Sequence, residues 1–225
     1  MFGMQHRRDL AGIAAGIAAP IVSWSLSVVV IVTWPGYDPV AQSISSLANA
    51  PLGWLQTVAF TISGLLGVAW AFGLSSVLGS TARDRALVRG LLLLQAVIGL
   101  GFAILPTDPD GVATTMIGRL HLLDFDLYAL TMPLTLVVLA LVMRRDPRWR
   151  VAAGPTFLAA GLVVVAAALV PATLAGPLTP WLGLLERLYV AIPSIWQVAV
   201  GVAAWRLATG SGPKVETAAS GGPAS

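Results

Sequence analysis

Apolar residues run through this chain in six long blocks, separated by short segments in which arginine, aspartate, proline and glycine collect. The blocks cover about residues 10–33, 54–78, 88–105, the run that ends at Met143, 151–170 and 181–208. At a rise of about 1.5 Å per residue, about 20 residues carry a helix across the roughly 30 Å hydrocarbon core of a bilayer. The pattern therefore predicts an all-α, polytopic membrane bundle of six transmembrane helices. The first block continues past Pro20 through Val32, too long for a signal-peptide core, and is expected to stay as an anchor. Its Gly12 and Gly16 form a small-xxx-small pair that permits close helix contact, although two glycines also fall four apart by chance in such a segment.

The first connection has its own pattern. Trp34 and Tyr37 stand where an interfacial aromatic belt would place them. Asp38-Pro39 reads as a helix start, with Asp as N-cap and Pro at the first helical position. From there Val40, Ile44, Leu47 and Ala48 fall on one face, and Gln42, Ser45, Ser46 and Asn49 on the other. This predicts a short amphipathic helix in the interface between the first two spans, with a plain polar connector as the alternative. At the other end, residues 209–225 are rich in Gly, Ser, Ala and Pro and are expected to form a disordered cytoplasmic tail beyond a membrane domain of residues 1–208.

Composition agrees with the pattern: 57% of residues are hydrophobic and only 10% charged, against roughly 25% charged in soluble domains. The net charge of +3 does not point to nucleic acid, because the positive residues sit in short clusters between apolar blocks. If the six blocks span, eleven of the 13 Lys and Arg residues fall on one side, leaving Arg119 and Arg187 for the other. The positive-inside rule then puts both termini in the cytoplasm of a cell-membrane protein. With no cysteine, disulfides, thiolate metal sites and a cysteine nucleophile are excluded.

Counting helical rise outward from the arginine clusters brings Asp38, Asp108, Asp110, Asp124, Asp126 and Glu186 to one plane near the outer boundary, with Arg119, His121 and Arg187. Charge at that depth is costly and is a functional-site hypothesis by default. His121, Asp124 and Tyr128 share one stripe of the fourth helix, with Asp126 off it; Glu186, Tyr189, Pro193 and Gln197 share one on the sixth. An outward-facing polar cavity follows as the expectation. Its candidate ligand-binding residues are Asp38, Ser46, Asp108, Arg119, His121, Asp124, Tyr128, Glu186 and Arg187, and its candidate catalytic residues are His121, Asp124 and Glu186. Ion pairs that merely lock helices, or side chains that snorkel to water, explain the same residues without any ligand.

The chemistry stays open. A metal site is weakly supported, since His121 has no second histidine nearby and Asp108-Pro-Asp110-Gly111 matches only a fragment of a calcium loop; no metal or cofactor is assigned. Ser45 or Ser46 with His121 and an aspartate would make a nucleophile, base and orienter, but no Gly-x-Ser-x-Gly elbow accompanies them. A carboxylic acid held protonated could act on a lipid or isoprenoid, with Trp54, Phe60, Trp70, Trp181 and Trp196 as pocket walls or as ordinary core and interface aromatics.

Tyr37-Asp-Pro-Val-Ala-Gln-Ser-Ile-Ser-Ser-Leu47, Leu105-Pro-Thr-Asp108, the Gly118-x-x-His121 step and Glu186-Arg187-Leu188 together resemble the six-helix membrane family known as domain of unknown function 998. The resemblance covers about residues 10–208 and implies a polytopic bacterial or archaeal membrane protein, with no established activity or catalytic residue. The expected function is binding of a membrane lipid or other amphiphilic small molecule. An enzyme acting on such a molecule is second and a small transporter third, with self-association into a homo-oligomer left open. His121→Gln is expected to spare the fold and to remove ligand retention or turnover.

Overall fold

A computed structural model describes residues 2–109, 112, 114–170, 173 and 176–211. Asp110 and almost all of the 209–225 tail lie outside the described residues. Among the described residues all regular structure is helical: α1 (Phe2–Thr33), α2 (Trp54–Val77), α3 (Ala82–Ile104), α4 (Met116–Arg145), α5 (Arg150–Leu169) and α6 (Leu182–Thr209), with short 3-10 turns at Ser45–Asn49 and Thr179–Trp181. All six helices are long and apolar enough to cross a membrane. Each packs on the next in chain order, and α6 returns to α1, so the helices close a ring.

The bundle has an apolar core that also holds a few buried polar side chains, and an oily outer face. Ser27, Gln56, Thr135 and Glu186 are buried, while Ile21, Val32, Leu65, Val97, Leu130, Leu158 and Ile195 are exposed on the rim. This suits a lipid surround, where apolar side chains face acyl chains and polar ones must find partners inside. Helix pairs are tied accordingly: Gln95 Nε2 of α3 donates to Thr131 and Thr135 of α4 at 3.1 and 3.0 Å, and Trp196 Nε1 of α6 donates to Thr156 of α5 at 3.0 Å. Gly12 and Gly73 let α1 and α2 touch backbone to backbone; a Cβ on Gly12 would come 2.5 Å from the Ala69 carbonyl. Gly16 faces the Trp70 ring, so both members of the small-residue pair lie in the α1–α2 contact.

The first helix starts at Phe2, well before the expected residue 10, and two further features differ from the sequence expectation. The third helix begins at Ala82 rather than Val88, because Thr81 and Asp84 form a capping box: Thr81 Oγ1 accepts from Asp84 N at 3.0 Å and the Asp84 carboxylate accepts from Thr81 N at 3.3 Å. The second difference is the first connection. Asp38 does accept from the backbone of Val40 and Ala41, at 2.8 and 3.4 Å, but only one turn follows. The amphipathic helix is not there; a five-residue 3-10 turn is, and Ser45 and Ser46 point inward with Ile44 and Leu47. The cause is α6, which takes the backbone groups a helix would need. Arg187 Nη1 donates to the carbonyls of Pro39 and Gln42 at 2.6 and 2.8 Å, Leu184 N donates to Val40 O at 2.9 Å, and the Glu186 carboxylate accepts from Ile44 N at 2.8 Å.

Candidate functional site

The first connection folds back over the start of α6 and roofs one end of the ring. Gly183 makes the close approach possible, since a Cβ there would collide with the carbonyls of Gln42 and Pro39. Tyr37 holds the far side. Its hydroxyl lies 2.6 Å from the Ser43 carbonyl and accepts from Arg187 Nη2, and its ring stacks on Trp34. Burial pushes the Tyr37 phenol up, against the opposing pull of the Arg187 hydrogen bond, so it stays a neutral donor.

Beneath this roof sits a hydrogen-bonded chain. His121 Nδ1 lies 2.7 Å from the Leu105 carbonyl and Nε2 lies 3.0 Å from Ser45 Oγ. A carbonyl only accepts, so Nδ1 carries the hydrogen and the Nε2 lone pair faces the Ser45 hydroxyl. The Glu186 carboxylate, 7% exposed, is also hydrogen-bonded to Ser45. Ser45 thus stands between an imidazole and a carboxylate, and its single hydroxyl hydrogen serves one of them at a time. Phe102 meets His121 and Tyr128 edge-on, and Tyr128 meets Tyr189, forming an aromatic layer under the chain.

From Ser45 and Glu186 a cavity of about 210 Å³ extends between α1, α2, α3, α4 and α6. Its wall is mainly apolar and aromatic, including Trp24, Phe60, Trp70, Phe102, Tyr128 and Trp196, with isolated neutral polar side chains such as Ser27, Gln56, Gln95 and Gln197. Two of those are incompletely satisfied: Gln56 Nε2 and Gln95 Oε1 have no hydrogen-bond partner. A buried polar atom left so costs about 1–3 kcal/mol, the size of effect a ligand group can repay.

Of the residues singled out in sequence, Glu186 and Tyr128 line the cavity. His121 is buried behind Ser45 and does not line it. Ser46 is buried but closed on Ser43, to whose carbonyl its hydroxyl donates at 2.8 Å. Asp124 is buried against Gly101, with Oδ2 unpartnered. Asp108 holds Thr115, the N-cap of α4, by accepting from its N and Oγ1, both at 2.8 Å, and Asp38 caps its own turn. Arg187 binds the roof, whereas Arg119 and Asp126 are exposed. Trp54 and Trp181 are exposed too, so of the five proposed wall aromatics Phe60, Trp70 and Trp196 serve the cavity. Ser45, considered in the sequence only as a nucleophile, also lines the cavity, and Gln56 is the residue that mattered most beyond those singled out. Neither periodicity nor charge marks Gln56; its only signal is a polar amide three residues into an apolar span. Among the described residues no three His, Asp or Glu side chains gather as a metal-ligand set.

The sequence profile of the family described as "Protein of unknown function (DUF998)" matches residues 17–203. The chain belongs to this family. The match takes in α1 from Ile17, the roof and all the cavity-lining residues, so the site lies wholly within the DUF998 region. No curated protein and no solved structure matches the chain.

Proposed function

We propose that this DUF998 protein binds an amphiphilic, lipid-like molecule in the central cavity, with the polar end at Ser45 and Glu186 and the apolar part among the aromatic side chains below. The observation that carries this reading is the one-ended charge of the cavity: among the described residues that line it Glu186, at the roof, is the only carboxylic acid, and the remaining wall is apolar or neutral. Ligand cavities of mostly apolar wall with a few placed polar groups are the usual small-molecule sites. At about 210 Å³ the space is below the roughly 300–1,000 Å³ of drug-sized pockets. It encloses a short chain or part of a longer one, not a whole phospholipid. The protein lies in the cell membrane, with the arginine-rich end and both termini in the cytoplasm and the roof outward, followed by a separate cytoplasmic tail. Native mass spectrometry of protein extracted gently from membranes tests the reading: a retained amphiphile of constant mass supports it, and protein that is always free of ligand counts against it.

A second reading, an enzyme of acyl transfer, is favoured by one geometry. The Ser45 hydroxyl faces the unprotonated Nε2 of His121, whose tautomer is fixed by Leu105, which is the nucleophile and base arrangement of serine hydrolases. The carboxylate of Glu186 beside Ser45 would oppose an oxyanion there, which ranks this reading second. Labelling of Ser45 by a fluorophosphonate, located by peptide mass spectrometry, would raise it above binding alone.

A further inference from the structure

We infer that the polar end of the cavity selects an uncharged hydroxyl or amide head group, as in a long-chain alcohol, and discriminates against phosphate. The inference rests on the amphiphile-binding reading above and goes on to name the chemistry of the head. Three observations carry it. First, among the described residues the cavity wall contains no Lys, Arg or His. The nearby guanidinium of Arg187 does not line the cavity; it is turned to the roof, where Nη1 donates to the carbonyls of Pro39, Gln42 and Gly183 and Nη2 to the Tyr37 hydroxyl. Phosphate sites are built from such charge-assisted donors. Second, Glu186 contributes acceptor oxygens to the same wall, and an anion placed there meets a carboxyl group rather than a cation. Third, Gln56 is fully buried in the wall. Ser27 Oγ donates to its Oε1 at 2.9 Å, and its Nε2 has no partner. Turning the amide over exchanges the atoms but still leaves one polar atom unfilled.

The wall therefore presents a free donor at Gln56, spare acceptor capacity at Glu186 and the hydroxyl of Ser45. A carboxylate has about four acceptor positions, and the N–H groups of Ile44 and Ser45 with the Ser45 hydroxyl fill at most three. A hydroxyl or primary amide both donates and accepts, and is matched to this mixed set. A phosphate only accepts, and must also shed its hydration to enter. A site built to hydrogen-bond a group rejects analogues that cannot reproduce those bonds, because its own buried polar atoms are then left bare.

The test compares octanol with octyl phosphate on the full-length protein in phosphatidylcholine nanodiscs, read by the fluorescence of tryptophans, three of which line the cavity: Trp24, Trp70 and Trp196. Octanol is expected to give a saturable change, with octyl phosphate at least tenfold weaker, a difference of about 1.4 kcal/mol. Gln56→Leu, close in size and without the amide, is expected to weaken octanol about fivefold or more and to leave octyl phosphate unchanged. Octyl phosphate binding as tightly as octanol overturns the inference while leaving the cavity a binding site, and needs no variant to be seen. Unaltered octanol binding by a folded Gln56→Leu protein overturns it as well. A saturable response to neither molecule overturns the underlying binding reading together with it.

Discussion

The carbonyl of Gly16 in α1 accepts a hydrogen bond from Nε2 of Gln197 in α6 at 2.9 Å. The bond exists because the residue four positions on is Pro20, inside the helix and without an N–H, so the Gly16 carbonyl has no partner in its own helix. A buried carbonyl in an apolar bundle must be satisfied from elsewhere, and Gln197 closes the ring by doing so. Gln197→Leu is expected to destabilise the protein by about 1–3 kcal/mol, the cost of a stranded buried acceptor. Adding Pro20→Ala supplies the missing N–H, so the double variant should be more stable than Gln197→Leu alone. Thermal unfolding of the set in one detergent checks this, and a double variant no better than the single one refutes the pairing.

The six helices were legible because each is written as a long apolar run, and the lipid requirement leaves helices as the way to bury that much backbone. The grouping of charge at one end was legible for the same reason, since helical rise converts sequence distance to depth. The roof was not. Residues 38–49 carry an amphipathic pattern and a good N-cap, and local rules alone favour a helix. Arg187 and Glu186, some 140 residues away, outbid those rules for the backbone groups of Pro39, Gln42 and Ile44. Burial of Ser45 rather than Val40 follows from that long-range contact. The separation of roles among the acids was equally hidden: depth puts Asp108 and Asp124 beside Glu186, but capping and a glycine contact, not a shared cavity, use the first two.

His121 illustrates how the structure revises an expectation about a variant. It stands behind Ser45 and Phe102, touching both without itself lining the cavity, so His121→Gln is now expected to keep the bound amphiphile. Loss of about one hydrogen bond should cost roughly 0.5–1.5 kcal/mol of stability. Any fluorophosphonate labelling at Ser45 should disappear, because Gln cannot take the hydroxyl proton. Thermal unfolding, native mass spectrometry and labelling on the same preparation read all three, and loss of ligand in a stable His121→Gln protein would place the imidazole in the binding site after all.

At the opposite end, Arg148 makes three hydrogen bonds to Asp146, through its backbone N, Nε and Nη2, the last at 2.7 Å. Mainly through the Arg148 side chain, the Asp146 carboxyl is held below the usual carboxylate range, and its side chain is only 3% exposed. A carboxyl with a lowered folded-state pKa adds stability that is complete above its unfolded value, about 3.9, and is lost as pH falls through the folded value. Wild-type stability should therefore drop further between about pH 5 and pH 2 than that of Asp146→Asn. Parallel slopes in melting temperature against pH would contradict the assignment.

Orientation is tested by reporters. Fusions after Gly79 and after Lys214 are expected to read cytoplasmic, and one within residues 171–180 external, because eleven of the 13 Lys and Arg residues fall at the N-terminus, between α2 and α3, between α4 and α5 and at the C-terminal end, the side that the positive-inside rule makes cytoplasmic. An external reading after Lys214 would invert the bundle and put the roof over the cavity in the cytoplasm.

The central claim is that the cavity itself holds the ligand, and Gly99 gives the most direct way to ask. It lines the cavity, and a Cβ there would meet only the Gly64 Cα, at 3.9 Å, so the first atom of a larger side chain is accommodated and the rest is directed to compete with the ligand for space. Native mass spectrometry of wild type and Gly99→Leu, extracted and desolvated identically, should show a retained amphiphile on the wild type and its loss from a Gly99→Leu protein of similar melting temperature. Equal retention by the two proteins, or none by either, would contradict the account.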